Sequence, residues 1–331
     1  MNPLTASSAP RHRTGALFPV LAFDEDTGVF LLADNTLGFG FLCHPATTTQ
    51  GVNEGLNVML NLDWPTGSGI QFTLWASPDI EPFLAAFQNL RFGRQSGPLQ
   101  DGIDQRISFL RTGTREPLED RSGLRARDIQ LLVTVKLPVG SLAPTPLELG
   151  AARDLALRVE QCLKTTGFNP RQTEAEAYLR FMSTLINWGE QASWRDLANS
   201  LYDPKALIND QVADYDTVIG IDERGLWLGD RRVTVLSVKR YPDQVYLGGA
   251  IRYLGDPVSG NRGIRGNILI TANIQFPDRV KSSGKIERDS QFPAHQTFGG
   301  RGSESLLKFQ PSLAKKTLLH REHLLQTPGF Q

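Results

Sequence analysis

The 331-residue chain carries 35 basic and 35 acidic side chains, so no net field draws the whole protein to nucleic acid or anionic lipid. Its composition, 40% hydrophobic and 21% charged, is that of an ordinary folded protein and excludes a disordered or fibrous chain. The length exceeds one average domain and predicts two modules, each burying its own core.

Residues 1–16 mix Pro, Ser and basic side chains with no apolar stretch behind them, which reads as a loose tail and not a secretory signal. No run approaches the roughly 18 apolar residues that cross a bilayer, so membrane contact is expected only through a partner. Cys43 and Cys162 sit far apart inside apolar runs, the pattern of buried thiols in a reducing, cytoplasmic compartment.

The first expected module spans 17–138. Asp24-Glu25-Asp26-Thr27-Gly28 has turn chemistry between two extended apolar segments and predicts a hairpin, its second strand running on through Leu37–Cys43. Glycines alternate there with large apolar residues, as where backbone is packed closely on one face. Val52, Leu56, Met59 and Leu60 recur at helical spacing before a stop at Trp64-Pro65. Residues 70–76 alternate as a strand, and Ser77 to Glu81 supplies the entry to another helix. Residues 91–127 are polar, glycine-containing and arginine-rich; 129–137 is a β-branched strand ending at Pro138.

Residues 139–144 read as a linker, since their proline and glycine continue neither strand nor helix. The second expected module spans 145–280. Thr145, Pro146 and Glu148 form a capping-box signature opening a helix with Leu149, Ala152, Leu155, Val159 and Cys162 on one face. Thr173 and Glu176 offer a second box before Ala177, Phe181, Leu185 and Trp188, and a third short helix begins near Ser193. Strands follow at 218–221, 226–228 and 233–239, a meander, then at 244–254 and 267–276. Residues 281–331 read as a polar connector and a C-terminal leucine helix over 312–326. The fold class is therefore α+β, with antiparallel sheets and packed helices.

Four passages carry a family resemblance: Phe23–Pro45, Leu56–Ile80, Leu226–Gly248 and Gly260–Asp278. In content and order they resemble the TraC family of F-type conjugative transfer ATPases, in the region that precedes the motor. The resemblance implies an assembly and docking role beside other type IV secretion subunits at the inner-membrane face, in DNA transfer and pilus assembly. ATP and magnesium are implied only for a RecA-like motor, and no G-x-x-x-x-G-K-[S/T] occurs in this sequence. The chain is expected to be no enzyme and to hold no cofactor or metal of its own. No catalytic residue is carried over.

Other candidate sites have ordinary readings beside them. Gly260, Arg262, Gly263, Arg265 and Gly266 cluster amides and two guanidinium groups and form the best anion loop. The same loop feeds a strand, whereas phosphate sites favour a helix N-terminus. A nucleotide- or phosphate-binding enzyme built on that loop is one alternative. A DNA-contacting adaptor through 91–127, with eight arginines against five acidic residues, is another, although aromatic interleaving is thin there.

His320 and His323 stand three apart in H-R-E-H and lack a metalloprotease spacing. Cys43-His44 has no second ligand pair, and strand neighbours point to opposite faces. Asp24-Glu25-Asp26 lacks the later ligands of a calcium loop, with Asn35 at the twelfth position. Lys308, Lys315, Lys316 and Arg321 flank the C-terminal leucines, which would drive self-association if left uncovered.

Overall fold

The computed structural model describes residues 14–44, 52–90, 97–119, 123–140, 143–223, 225–229, 231–237 and 264–277. The expected strand at 244–254, the C-terminal helix, His320 and His323 lie outside the described residues.

The hairpin forms as β1 (Val20–Asp24) and β2 (Val29–Leu32), paired antiparallel. Gly28 closes the turn at φ +71, donating its N–H to Asp24 O at 2.8 Å. That positive φ favours glycine, and a Cβ there would also displace the end of the Gln172 side chain, whose amide nitrogen would lie 2.1 Å from it. The strand expected to run on through Cys43 is instead broken by a second turn. Asn35 takes φ +55, and β3 (Thr36–Cys43) folds back on β2.

β3 pairs with β5 (Asp128–Pro138), β5 with β4 (Ser68–Ser77), and β4 with β10 (Ile268–Phe276), all antiparallel. A two-residue strand, β6 (Arg171–Gln172), adds to β3. The order is β1-β2-β3-β5-β4-β10. A separate three-stranded meander holds β7 (Ile219–Asp222), β8 (Gly225–Leu228) and β9 (Arg231–Val233). The fold is α+β, as the sequence predicts. Residues 139–144 divide the chain but not the large sheet, because β10 from the second half pairs along all nine residues with β4 of the first. The tail reading stops short of residue 14: Thr14–Leu17 forms a 3-10 turn, with Gly15 packed closely on Asn209 and Asp210.

Period-two alternation sends Leu37, Phe39, Phe41 and Cys43 of β3 and Leu131, Val133, Val135 and Leu137 of β5 to one face. There they meet α1 (Val52–Leu60) and α4 (Pro146–Thr165) through Met59, Leu155, Val159 and Leu163. Phe39, Phe41, Met59, Val133, Val159 and Leu163 are fully buried, each contributing about 1.5–3 kcal/mol of apolar transfer. Gly55 lets α1 approach α4, since a Cβ would stand 2.3 Å from Thr166 Cγ2. The α4 capping box forms as read: Glu148 N donates to Thr145 Oγ1 at 3.3 Å, and Thr145 N to Glu148 Oε2 at 2.9 Å.

The opposite face takes α5 (Ala175–Ile186), whose Tyr178, Leu179 and Phe181 pack on Phe30, Trp75 and Leu132. Here the expected second capping box is not made. Thr173 N–H donates to Gly40 O at 2.8 Å as β6 leaves the sheet, and the helix starts from Glu174 with no side-chain cap.

Beyond α5 the chain runs through two 3-10 turns, Ser193–Arg195 and Ile208–Gln211. Backbone without regular partners must find others. Asn187, 1% exposed, provides them: it donates to Ser183 Oγ at 2.6 Å and Val212 O at 3.0 Å, and accepts from Asp214 N at 3.1 Å and Thr217 Oγ1 at 2.6 Å.

Candidate docking groove

Two further helices stand at one end of the sheet. α2 (Glu81–Asn89) begins where the sequence predicts, but its N-cap position is Ile80 and no side chain caps it; Asp79 N donates to Ser77 Oγ at 3.0 Å and Glu81 N to Asp79 Oδ1 at 3.4 Å in the turn before it. α3 (Pro98–Gly113) occupies what reads in sequence as a polar, arginine-rich stretch. The two run antiparallel: Arg111, near the end of α3, grips Glu81 at the start of α2 with Nε–Oε1 at 2.7 Å and Nη2–Oε2 at 2.8 Å. That guanidinium holds the Glu81 carboxyl below its usual range. Ile80, Leu84 and Ile107 form the buried seam, with Phe87, Ile103 and Leu110 beside them.

Between this hairpin and the sheet lie two cavities of about 1040 and 480 Å³, which share His44, Phe83, Asp128 and Ile129. The larger runs beneath α2 and α3 and is lined by Ile80, Leu84, Leu110 and Leu118. The smaller runs on between the end of β3, β6 and α5. Together they make a groove with apolar walls. Phe83, 45% exposed, projects between its halves.

The groove is strongly one-signed. Among the described residues Arg106, Arg125, Arg127, Arg171 and Arg180 line it against Asp128 as the one carboxylate. Burial pushes the Asp128 carboxyl up, opposed by a hydrogen bond from Gln130 and reinforced by Asp79. Several of these arginines are engaged. Arg180 donates to Glu176 Oε1 at 2.7 Å and to the carbonyls of Trp194, Asp196 and Asn199. Arg106 lies over the Phe87 ring, 5.7 Å from its centre. Arg125 differs: its Nε and Nη1 are buried with no hydrogen-bond acceptor among the described residues.

Arg127 donates to Ala76 O at 3.0 Å, Arg265 O at 3.1 Å and Gly266 O at 2.6 Å. At the described end of the candidate anion loop, then, carbonyls of Arg265 and Gly266 face a guanidinium, the reverse of amides facing an anion. Gly260, Arg262 and Gly263 lie outside the described residues. The described arginines of 91–127 are likewise dispersed: Arg111 is in its ion pair, Arg106 and Arg125 are at the groove, Arg127 bonds carbonyls at the sheet edge, and Arg115 is exposed on the surface; Arg91, Arg94 and Arg121 lie outside the described residues.

Cys43 points into the core, where burial pushes its thiol up to about 12, while its neighbour His44 opens on the groove. Cys162 is also buried and free. Asp24, Glu25 and Asp26 make the hairpin turn, Thr27 Oγ1 bonding Asp24. On the far side of α5, Glu25 and Asp26 line a cavity of about 490 Å³ with Glu160, Glu174 and Glu176. Burial raises the Glu176 pKa, but hydrogen bonds from Ser200, Arg180 and the N–H groups of Leu201 and Tyr202 outweigh it and hold it low.

The groove is absent from any local reading of the sequence, because it joins residues 42–44, 80–87, 106–130 and 169–197. The one local signal for its outer wall is Gly97-Pro98 followed by Leu99, Ile103, Ile107 and Leu110, a helix start with a narrow apolar stripe. Among the described residues no helix is long and apolar enough to cross a membrane. A family model described as TraC protein (TraC_F_IV) matches residues 15–318 of the chain. No curated protein matches it.

Proposed function

The chain belongs to the TraC family of F-type conjugative transfer proteins, and we propose that it serves type IV secretion as an assembly module, docking other secretion subunits at the cytoplasmic face of the inner membrane. The observation that carries this reading is the groove under α2 and α3, which leaves Phe83 open among arginines. A large apolar side chain exposed within a concave, charged rim is the usual anatomy of a protein-binding site.

In this reading the chain does its work by contact and turns over no nucleotide. Support comes from the sequence, which has no glycine-rich turn followed by Lys and Ser or Thr to cradle phosphates and magnesium.

The test places the photo-crosslinking residue p-benzoylphenylalanine at position 83 in conjugating cells, with position 109, exposed on α3, as a control. Adducts to other secretion subunits from 83 and not from 109 are the expected result. Absence of adducts from 83, or ATP hydrolysis by the purified chain, overturns the reading.

A further inference from the structure

We propose that α2 and α3 form a hinged arm, latched by the Asp79–Arg195 ion pair, whose swing against the sheet sets the width of the groove. This deepens the docking role given above, since an arm that moves decides when Phe83 can be reached.

Three features of the arm carry the inference. The first is its attachment. α2 leaves β4 through Pro78, Asp79 and Ile80 alone, and α3 returns to β5 through 114–127. The apolar seam of the arm, Ile80, Leu84 and Ile107 with Phe87, Ile103 and Leu110 beside them, is a cluster of its own. None of these side chains belongs to the clusters that hold α1, α4 and α5 on the sheet. Of the sixteen residues of α3 only Ile107 and Gly113 are buried, and of the nine of α2 only Pro82 and Leu84. Elements that bury so little sit at the low end of local stability, where hinge motion is found.

The second feature is the space beneath. The cavity of about 1040 Å³ lies between Leu84, Phe87 and Leu110 of the arm and His44 and Ile129 at the sheet. Protein interiors are close-packed, and apolar walls held apart forgo contacts that a shift of the arm toward β5 supplies.

The third feature is the latch. Arg195, on the 3-10 turn that follows α5, reaches Asp79 at the root of the arm with both terminal nitrogens, Nη1–Oδ1 standing at 3.3 Å and Nη2 closer to Oδ2. The guanidinium also lies over the Trp194 ring, 4.7 Å from its centre, which fixes its direction. Both side chains of the pair are mostly buried, so salt screens it little. The Arg111–Glu81 pair, by contrast, lies within the arm and moves with it.

The experiment measures distances in the full chain by double electron–electron resonance, with spin labels carried on p-acetylphenylalanine so that Cys43 and Cys162 stay unlabelled. Positions 109 and 157, exposed on α3 and α4, report on the arm; positions 157 and 269, exposed on α4 and β10, report on the body. Asp79→Asn keeps the shape of the side chain and removes the charge of the latch. It is expected to raise the ratio of displaced to latched arm about tenfold, read as a broadened or shifted 109–157 distribution beside an unchanged 157–269 one. Arg195→Gln removes the other half of the latch, covers the case in which Asp79→Asn does not fold, and is expected to give the same shift. A 109–157 distribution indifferent to both substitutions, or a broadening shared by 157–269, overturns the hinge. Cross-linking from position 83 uses neither substitution, so loss of the hinge leaves the docking role standing, and loss of the adducts leaves the hinge.

Discussion

The indole of Trp64 lies face to face on the ring of Phe276, with centres 4.7 Å apart and planes 10° from parallel. Phe276 closes β10, and Trp64 also donates its Nε1–H to Met59 O at 2.9 Å. The pair therefore clamps the last strand of the large sheet to the chain leaving α1. Phe276 is 3% exposed, so Phe276→Ala should cost about 3–5 kcal/mol. Phe109→Ala, on the open face of α3, should stay within about 0.5 kcal/mol. Urea unfolding of both variants checks the contrast, and equal losses would contradict this placement of β10.

Asn187 is the hub of a segment that has little regular structure of its own. Removing its amide in Asn187→Ala strands Val212 O in a buried site and takes the acceptor from the partly buried Asp214 N and Thr217 Oγ1. At about 1–3 kcal/mol for each unsatisfied buried group, the loss should be at least about 2 kcal/mol. It should also show as faster amide exchange across 193–217 than across β3 and β5.

The two threonines of the capping signatures should behave oppositely. Thr145→Ala removes a formed cap and should cost about 1 kcal/mol. Thr173 Oγ1 is buried with no hydrogen-bond partner among the described residues, so Thr173→Val should be neutral or stabilising, its backbone bond to Gly40 being unaffected. Thermal melts of the two single variants decide it.

Asp128 gives the groove a pH dependence. Burial first, and Asp79 second among the opposing influences, lift its folded pKa above the unfolded value, the Gln130 hydrogen bond only partly offsetting them. The fold then holds a proton that the unfolded chain has already released, so stability falls as pH rises from about 4 through the folded pKa and is level beyond it. Asp128→Asn removes that fall. It should match the parent near pH 3 and exceed it near pH 7, as read by denaturant midpoints. A variant less stable than the parent at neutral pH would show that the carboxylate is compensated.

What local chemistry encodes was legible. The Asp24–Gly28 hairpin, the alternation of β3 and β4, the β-branched run of β5, the Thr145 cap and the apolar face of α4 all rest on neighbours within a few residues. α3 was not legible, because its apolar stripe is narrow and of its side chains only Ile107 is fully inside, the rest being diluted by arginines. The Thr173 box failed because a competing partner, Gly40 O, had already taken the threonine N–H into the sheet. Glu176 was then free to gather Ser200, Leu201 and Tyr202. The pairing of β10 with β4, and the groove, depend on residues many tens of positions apart, and no spacing rule reaches that far.

β4 waits for its outer neighbour through almost two hundred positions of sequence. On a ribosome adding roughly 5–20 residues per second, Phe276 emerges on the order of 10–40 seconds after Ser77. During that interval the nascent protein presents a ten-residue margin of open amides and carbonyls, Ser68–Ser77, to whatever other unfinished polypeptides are nearby. A slower delivery of that one late strand should therefore lengthen the exposure and raise the demand for chaperones.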